Sequence, residues 1–233
     1  MKEKLNILAK LVRYNLKIVF ANKFIYFLIA ALAFYFLIIG ILLFSESTTT
    51  TKEIFSALIV PGVLVLFYPT IYGIQNDKDA RMLEIIFAIP NYRYKVYLLR
   101  FLINFLLLFF VLLSLTYLTG FALIKFNEVH LLFQLMYLML FISCLSFLFS
   151  TLMKSGNSAA VTLIIISLFF IILSETLEHS KWNIFLNPYN VPTEMSTTVW
   201  KNVIYQNHLM MIIASVIFLF WSLINLQKRE TFV

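Results

Sequence analysis

Residues 24–44 read FIYFLIAALAFYFLIIGILLF, a stretch of consecutive positions without one charged side chain. As a helix rising 1.5 Å per residue it extends about 31 Å, which matches a bilayer hydrocarbon core of about 30 Å. Working outward from it, the same pattern recurs at Ile54 to Ile74, Phe101 to Ile124, Leu131 to Met153, Ala159 to Ser174 and Leu209 to Leu226. The Ala159–Ser174 stretch is short for a span, so either its flanking polar residues extend the helix or it stops early. These spans take up over half of the 233 residues. The chain is 62% hydrophobic and 12% charged, against about 45–50% and about 25% in soluble domains, which excludes a water-soluble enzyme. The expected fold is all-α and polytopic: a single transmembrane domain over residues 1–233 with six transmembrane helices. The first span is too long for a signal-peptide core and no small-residue cleavage site ends it, so all six are expected in the mature chain. Cys144 is the one cysteine and allows no internal disulfide.

The net charge of +7 reads as orientation rather than as nucleic-acid binding. With both termini on one side, that side collects 14 of the 18 basic residues. Only Lys52, Lys125, Lys181 and Lys201 fall on the other. Positive charge stays in the cytoplasm, so a multi-pass protein of the cytoplasmic membrane with both termini inside is expected. Ahead of the first span, within residues 1–23, Leu5, Leu8, Val12, Leu16 and Val19 form one helical stripe opposite Lys10, Arg13 and Lys17. That pattern predicts an amphipathic helix on the membrane surface; a plain basic flank is the competing reading.

The loop between the second and third spans is the most informative connection. Residues 75–100 read QNDKDARMLEIIFAIPNYRYKVYLLR. Helical spacing from Asp77 to Ile89 gives a segment apolar around most of its circumference, with a narrow polar stripe of Asp77, Arg81 and Glu84. A short helix of this kind outside the bilayer is not solvated all round, which predicts burial against a partner protein. Pro90 stops it and Asn91 follows as a turn residue. An ordinary returning loop is the competing reading.

Asp77, Lys78 and Asp79 as a charged cluster, Leu83 and Glu84, Pro90, and the basic Arg93 and Arg100 together make the chain resemble the membrane subunits of type-2 ABC exporters. Arg81 and Met82 stand where Gly-Thr is usual in that family. The resemblance implies a permease in the bacterial inner membrane that dimerises, with itself or a related permease, to form the translocation pathway. It implies separate ABC ATPase subunits that carry ATP and Mg, with no cofactor on this chain. Residues 75–97 would then be the coupling loop, with Asp77, Arg81, Leu83, Glu84, Pro90 and Arg93 in contact with the ATPase. The long connection 175–207, with Trp182, Trp200 and Tyr205 and the breaker NPYNVP at 187–192, resembles the partly re-entrant helices before the last span of that family; a simple interfacial loop is the alternative.

No G-x-x-x-x-G-K-[ST] motif is present, so the chain itself is not expected to be an enzyme, and no nucleic-acid partner is expected. His130, His179 and His208 fall in the connections expected outside; Glu175, Glu178 and His179 lie close in sequence, but solvated loop residues are the favoured reading over a metal site. Ionised groups are missing from the span interiors, which argues against an ion-coupled transporter. In the second span Pro61, Tyr68, Pro69 and Tyr72 mark a bent helix, read either as lining the pathway and dimer interface or as a packing kink. Asn104, Ser143, Ser146, Ser150 and Thr151 are expected to make helix-packing hydrogen bonds. The alternative function is a non-transporting membrane anchor or assembly subunit; an intramembrane enzyme lacks a catalytic constellation.

Overall fold

The computed structural model describes residues 23–45, 49–82, 92–153 and 155–227, excluding the side chains of residues 92 and 93. The N-terminal helix expected over residues 3–20, together with Leu83, Glu84, Pro90 and the Arg93 side chain, lies outside the described residues. Among the described residues the regular structure is entirely helical: α1 Phe24–Phe44, α2 Thr51–Ile71, α3 Gly73–Asp79, α4 Tyr92–Ala122, α5 Glu128–Leu152, α6 Gly156–Thr176 and α7 Thr197–Asn225. With α2 and α3 nearly continuous, six helices are long and apolar enough to cross a membrane.

Helix starts follow local chemistry that the sequence displays. Glu53 accepts from the Thr50 N–H at 2.9 Å, Asn127 Oδ1 from the His130 N–H at 2.9 Å and Ser155 Oγ from the Ser158 N–H at 3.2 Å. Each satisfies a donor that the first turn of a helix leaves unpaired. The short span is extended by its flanks, since α6 starts at Gly156 and runs to Thr176.

Two helices reach well past the apolar stretches. α4 begins at Tyr92 rather than Phe101, so Lys95 and Arg100 sit on its first turns. α7 begins at Thr197 rather than Leu209, and residues 177–196 form turns with no separate helix. The expectation of re-entrant helices before the last span is corrected accordingly: the NPYNVP stretch stays irregular, and the residues after it join the last span. Hydropathy sees only the part of a helix that matches lipid, whereas the backbone goes on satisfying itself through the interface.

α5 is the hub. α2, α4, α6 and α7 all pack on it, and α1 joins through α2. Leu131, Leu132, Leu135 and Met139 on α5 are fully enclosed, whereas Phe36 and Ile41 on α1, Ile165 and Ile172 on α6 and Phe220 on α7 point outward, as lipid-facing side chains do. Gly62 lets α2 close on α5: a Cβ there would come within 2.8 Å of Met139 Cε. Pro61 is buried in the same helix.

The far end of the bundle, opposite the described termini, is closed by residues 177–196. Asn207 Nδ2 donates to the carbonyls of Lys181 and Asn183, both at 2.8 Å. Trp200 Nε1 donates to Pro188 O at 3.0 Å, and Asn187 Nδ2 to Lys52 O at 2.9 Å. Tyr189 Oη meets His130 Nδ1 at 2.9 Å, and burial pushes the Tyr189 phenol up to about 12. Of the histidines expected to be solvated, His130 and His179 are exposed, His130 while meeting Tyr189, whereas His208 lies within α7 with its ring stacked 4.0 Å from Tyr137.

At the other end Gly156 is a point of close approach. Its N–H donates to Gln75 Oε1, and a Cβ would stand 2.6 Å from both Gln75 Oε1 and Tyr72 Cδ1. Gly156→Ala should lower stability by about 1–3 kcal/mol through overpacking. Gly62→Ala, crowding the flexible tip of Met139 and otherwise in ordinary contact with Leu112, should cost less. Thermal unfolding of the two variants in one detergent checks the order.

Candidate functional site

The end of the bundle that carries Lys23, Lys78, Arg81, Lys95 and Arg100 holds a polar cluster built where α2 gives way to α3. Pro69 removes one backbone donor and Gly73 follows the break at Tyr72. Groups loosened by the break find partners nearby. Thr70 Oγ1 donates to Leu66 O at 2.7 Å, and Ser150 Oγ of α5 donates to Ile71 O at 2.8 Å. Tyr72 Oη donates to Asn157 Oδ1 at 3.0 Å, which ties the break to α6 alongside the Gln75–Gly156 bond.

α3 ends on a Schellman motif. The Met82 N–H donates to Asp77 O at 2.9 Å and the Arg81 N–H to Lys78 O at 3.0 Å. Arg81 itself takes a left-handed φ of 54°, a conformation that suits glycine and strains other residues. The continuous helix expected from Asp77 to Ile89 is therefore corrected: it stops at Asp79. The turn also breaks the polar stripe. Asp77 points inward and is 2% exposed, while Arg81 faces out.

Asp77 is held by α4. Arg100 Nη1 forms an ion pair with Asp77 Oδ2, and Tyr97 Oη donates to the same oxygen at 3.1 Å. The Arg100 guanidinium also lies 5.8 Å from the Tyr97 ring centroid. Asp77 is buried and Arg100 largely so, with side-chain exposures of 3% and 11%. Such a pair persists only when each charge meets the other in good geometry. It closes the loop from α3 to α4 at its base, across 23 positions of sequence.

Beneath the pair is a small cleft of about 50 Å³, lined from α2, α3, α4 and α5. Tyr68 and Pro69, two of the residues read as pathway-lining, are on its wall. Tyr68 and Tyr72 also border a wider groove toward α1 and α6, and their rings stack at 5.3 Å. Pro61 lines neither. Of the polar residues expected to knit helices together, Ser150 and Thr151 do so, the latter accepting from Asn225 Nδ2 at 3.4 Å. Ser146 bonds within its own helix. The buried Asn104 Oδ1 and Ser143 Oγ have no partner.

Sequence reasoning missed Tyr97 and the Arg100 pairing. The visible signal was an acid and a base at the span-facing edges of the loop, Asp77 and Arg100, each costly to bury alone. Among the described residues no three His, Cys, Asp or Glu side chains gather to hold a metal ion.

Asp77→Leu leaves Arg100 buried without its carboxylate and should destabilise by about 3–5 kcal/mol. The double change Asp77→Leu with Arg100→Met should recover most of that, and Tyr97→Phe should cost about 1–2 kcal/mol. A double-mutant cycle on thermal unfolding reads all three.

Comparison of the chain with protein-family models, with curated proteins and with solved structures finds no match, so what these residues do has to be argued from their own chemistry.

Proposed function

We propose that the chain is the membrane-spanning permease subunit of an ATP-driven exporter of the type-2 ABC kind, lying in the bacterial cytoplasmic membrane with both termini inside. Two copies, or one copy and a related permease, enclose the pathway. ABC ATPase subunits, which bind ATP and Mg, dock on the cytoplasmic face against residues 75–97.

The observation that carries this reading is the clamp at the base of that loop. Asp77 on α3 is bonded to Tyr97 and Arg100 on α4, so a load applied between them reaches both helices at once. α3 continues into α2, and Gln75 and Tyr72 pass the same displacement to α6 through Gly156 and Asn157. A rigid connection of this kind suits a part that takes force from a motor outside the chain. The break at Tyr72 and the prolines of α2 give that helix places to bend. Export rather than import rests on the resemblance of the loop.

The test is co-expression with an ABC ATPase taken from the neighbouring genes. Arg81→Glu with Glu84→Lys should reduce co-purification of the ATPase. The neutral clamp variant Asp77→Leu with Arg100→Met should leave assembly intact while lowering stimulation of ATP hydrolysis about tenfold. If neither assembly nor stimulation changes in any variant, the coupling role is wrong and an anchoring subunit is the better description.

A further inference from the structure

At the end of the bundle away from the clamp, the starts of α5 and α7 and residues 188–191 enclose a cavity of about 360 Å³, inside the range of small-molecule pockets, about 300–1,000 Å³. Val191, Trp200 and Ile204 give it an apolar wall. Trp200 is 2% exposed and its N–H is already given to Pro188 O, so it offers the cavity only its ring. Lys201, Thr197, Gln134 and the bonded pair of His130 and Tyr189 supply the polar edge. Lys201 and Thr197 make no ion pair or side-chain hydrogen bond with the described residues. Among the described residues no Asp or Glu lines the cavity, so its one full charge is the Lys201 ammonium.

The cavity lies at headgroup level. α5 has 25 residues and α7 has 29, about 37 Å and about 43 Å of helix, against a hydrocarbon core of about 30 Å. Counted back from Leu152 and Asn225, about 20 residues of each helix fill that core, which leaves His130 and Lys201 just beyond it. Below Lys201 the same face of α7 continues through Tyr205, Leu209 and Ile212, which are 65%, 45% and 42% exposed. One turn below Gln134 and Ile204, the rings of Tyr137 and His208 stack across the seam between α5 and α7.

We infer that this cavity holds the headgroup of an anionic phospholipid from the leaflet at this end of the bundle. The phosphate lies against Lys201 and Thr197, the glycerol against the Trp200 ring, and the acyl chains leave over Tyr205, Leu209 and Ile212. Charge selects the class. Phosphatidylcholine and phosphatidylethanolamine bring a cation that meets Lys201 and finds no carboxylate on the wall; phosphatidylglycerol brings the anion alone. A free phosphate would meet the same ammonium but would leave the apolar wall and the stripe below it uncovered, so the lipid is the better occupant. The inference stands on this cavity and on the membrane-crossing helices, and it holds whether or not an ATPase partners the chain.

The probes are phosphatidylglycerol and phosphatidylcholine carrying the same photoactivatable group near the glycerol, each added in trace amount to phosphatidylcholine nanodiscs that hold the full chain. Phosphatidylglycerol should label peptides with residues 130–134, 188–191 or 197–209 about fivefold more than phosphatidylcholine does. Lys201→Gln should remove that excess while labelling at the basic end of the bundle stays as it was, which also shows that the variant is folded. Lys181→Gln, at the same end but off the cavity wall, should change nothing. Excess inorganic phosphate should leave the labelling intact. Equal labelling of these peptides by the two lipids, an excess that survives Lys201→Gln, labelling only elsewhere, or displacement by inorganic phosphate overturns the inference.

Discussion

In hydrocarbon no backbone N–H or C=O can go unpaired without a penalty of several kcal/mol, and the architecture of this chain follows from that constraint. Six apolar helices satisfy their own backbones across the lipid thickness, and the irregular segments are kept to the two ends. The α2–α3 break tests the constraint most severely, because a proline and a helix interruption fall within four residues. Thr70, Ser150 and Tyr72 answer it with side-chain bonds to carbonyls of the break or to the neighbouring helix. A break bonded in this way to α5 and α6 is tied to both helices, so a bend there carries them with it.

The same constraint explains why α5 occupies the centre. Lipid is as apolar as leucine, so no hydrophobic force draws one apolar helix to another; association depends on close packing and on polar side chains. α5 supplies both, with Ser143, Ser146, Ser150 and Thr151 buried along one stretch and Met139 lying over Gly62. Of these polar groups only Ser150 and Thr151 reach across to another helix, and both do so near the basic end, where the break, the clamp and the cleft are found. The other end is held differently, by asparagine amides: Asn207 captures two loop carbonyls and Asn187 a carbonyl in the first turn of α2.

How much of this was legible in the sequence depended on whether the deciding interaction was local. The Phe24–Phe44 span is local, and it read directly; the Thr50, Asn127 and Ser155 caps are local too, but hydropathy passes over them. The first turns of α7 did not read directly, because Thr197 to His208 mixes polar and apolar residues and hydropathy has no contrast there. Nothing in sequence marks Arg81 as left-handed, since glycine is the usual signal. The Asp77–Arg100 pair joins positions 23 apart, a relation set by how α3 and α4 pack rather than by spacing. Asp77 consequently looked like a surface residue of an outward-facing helix when its carboxylate is turned into the bundle. The acceptor on Asn104 was visible as a polar residue in a span, but only packing shows that it is unpaired.

The clamp also sets how α3 and α4 can move. Asp77 is bonded to both Tyr97 and Arg100 on α4, and all three residues line the small cleft below. Opening the pair would leave two charges facing an apolar wall without partners, at a cost of about 3–5 kcal/mol, so α3 and α4 shift together unless something supplies that free energy.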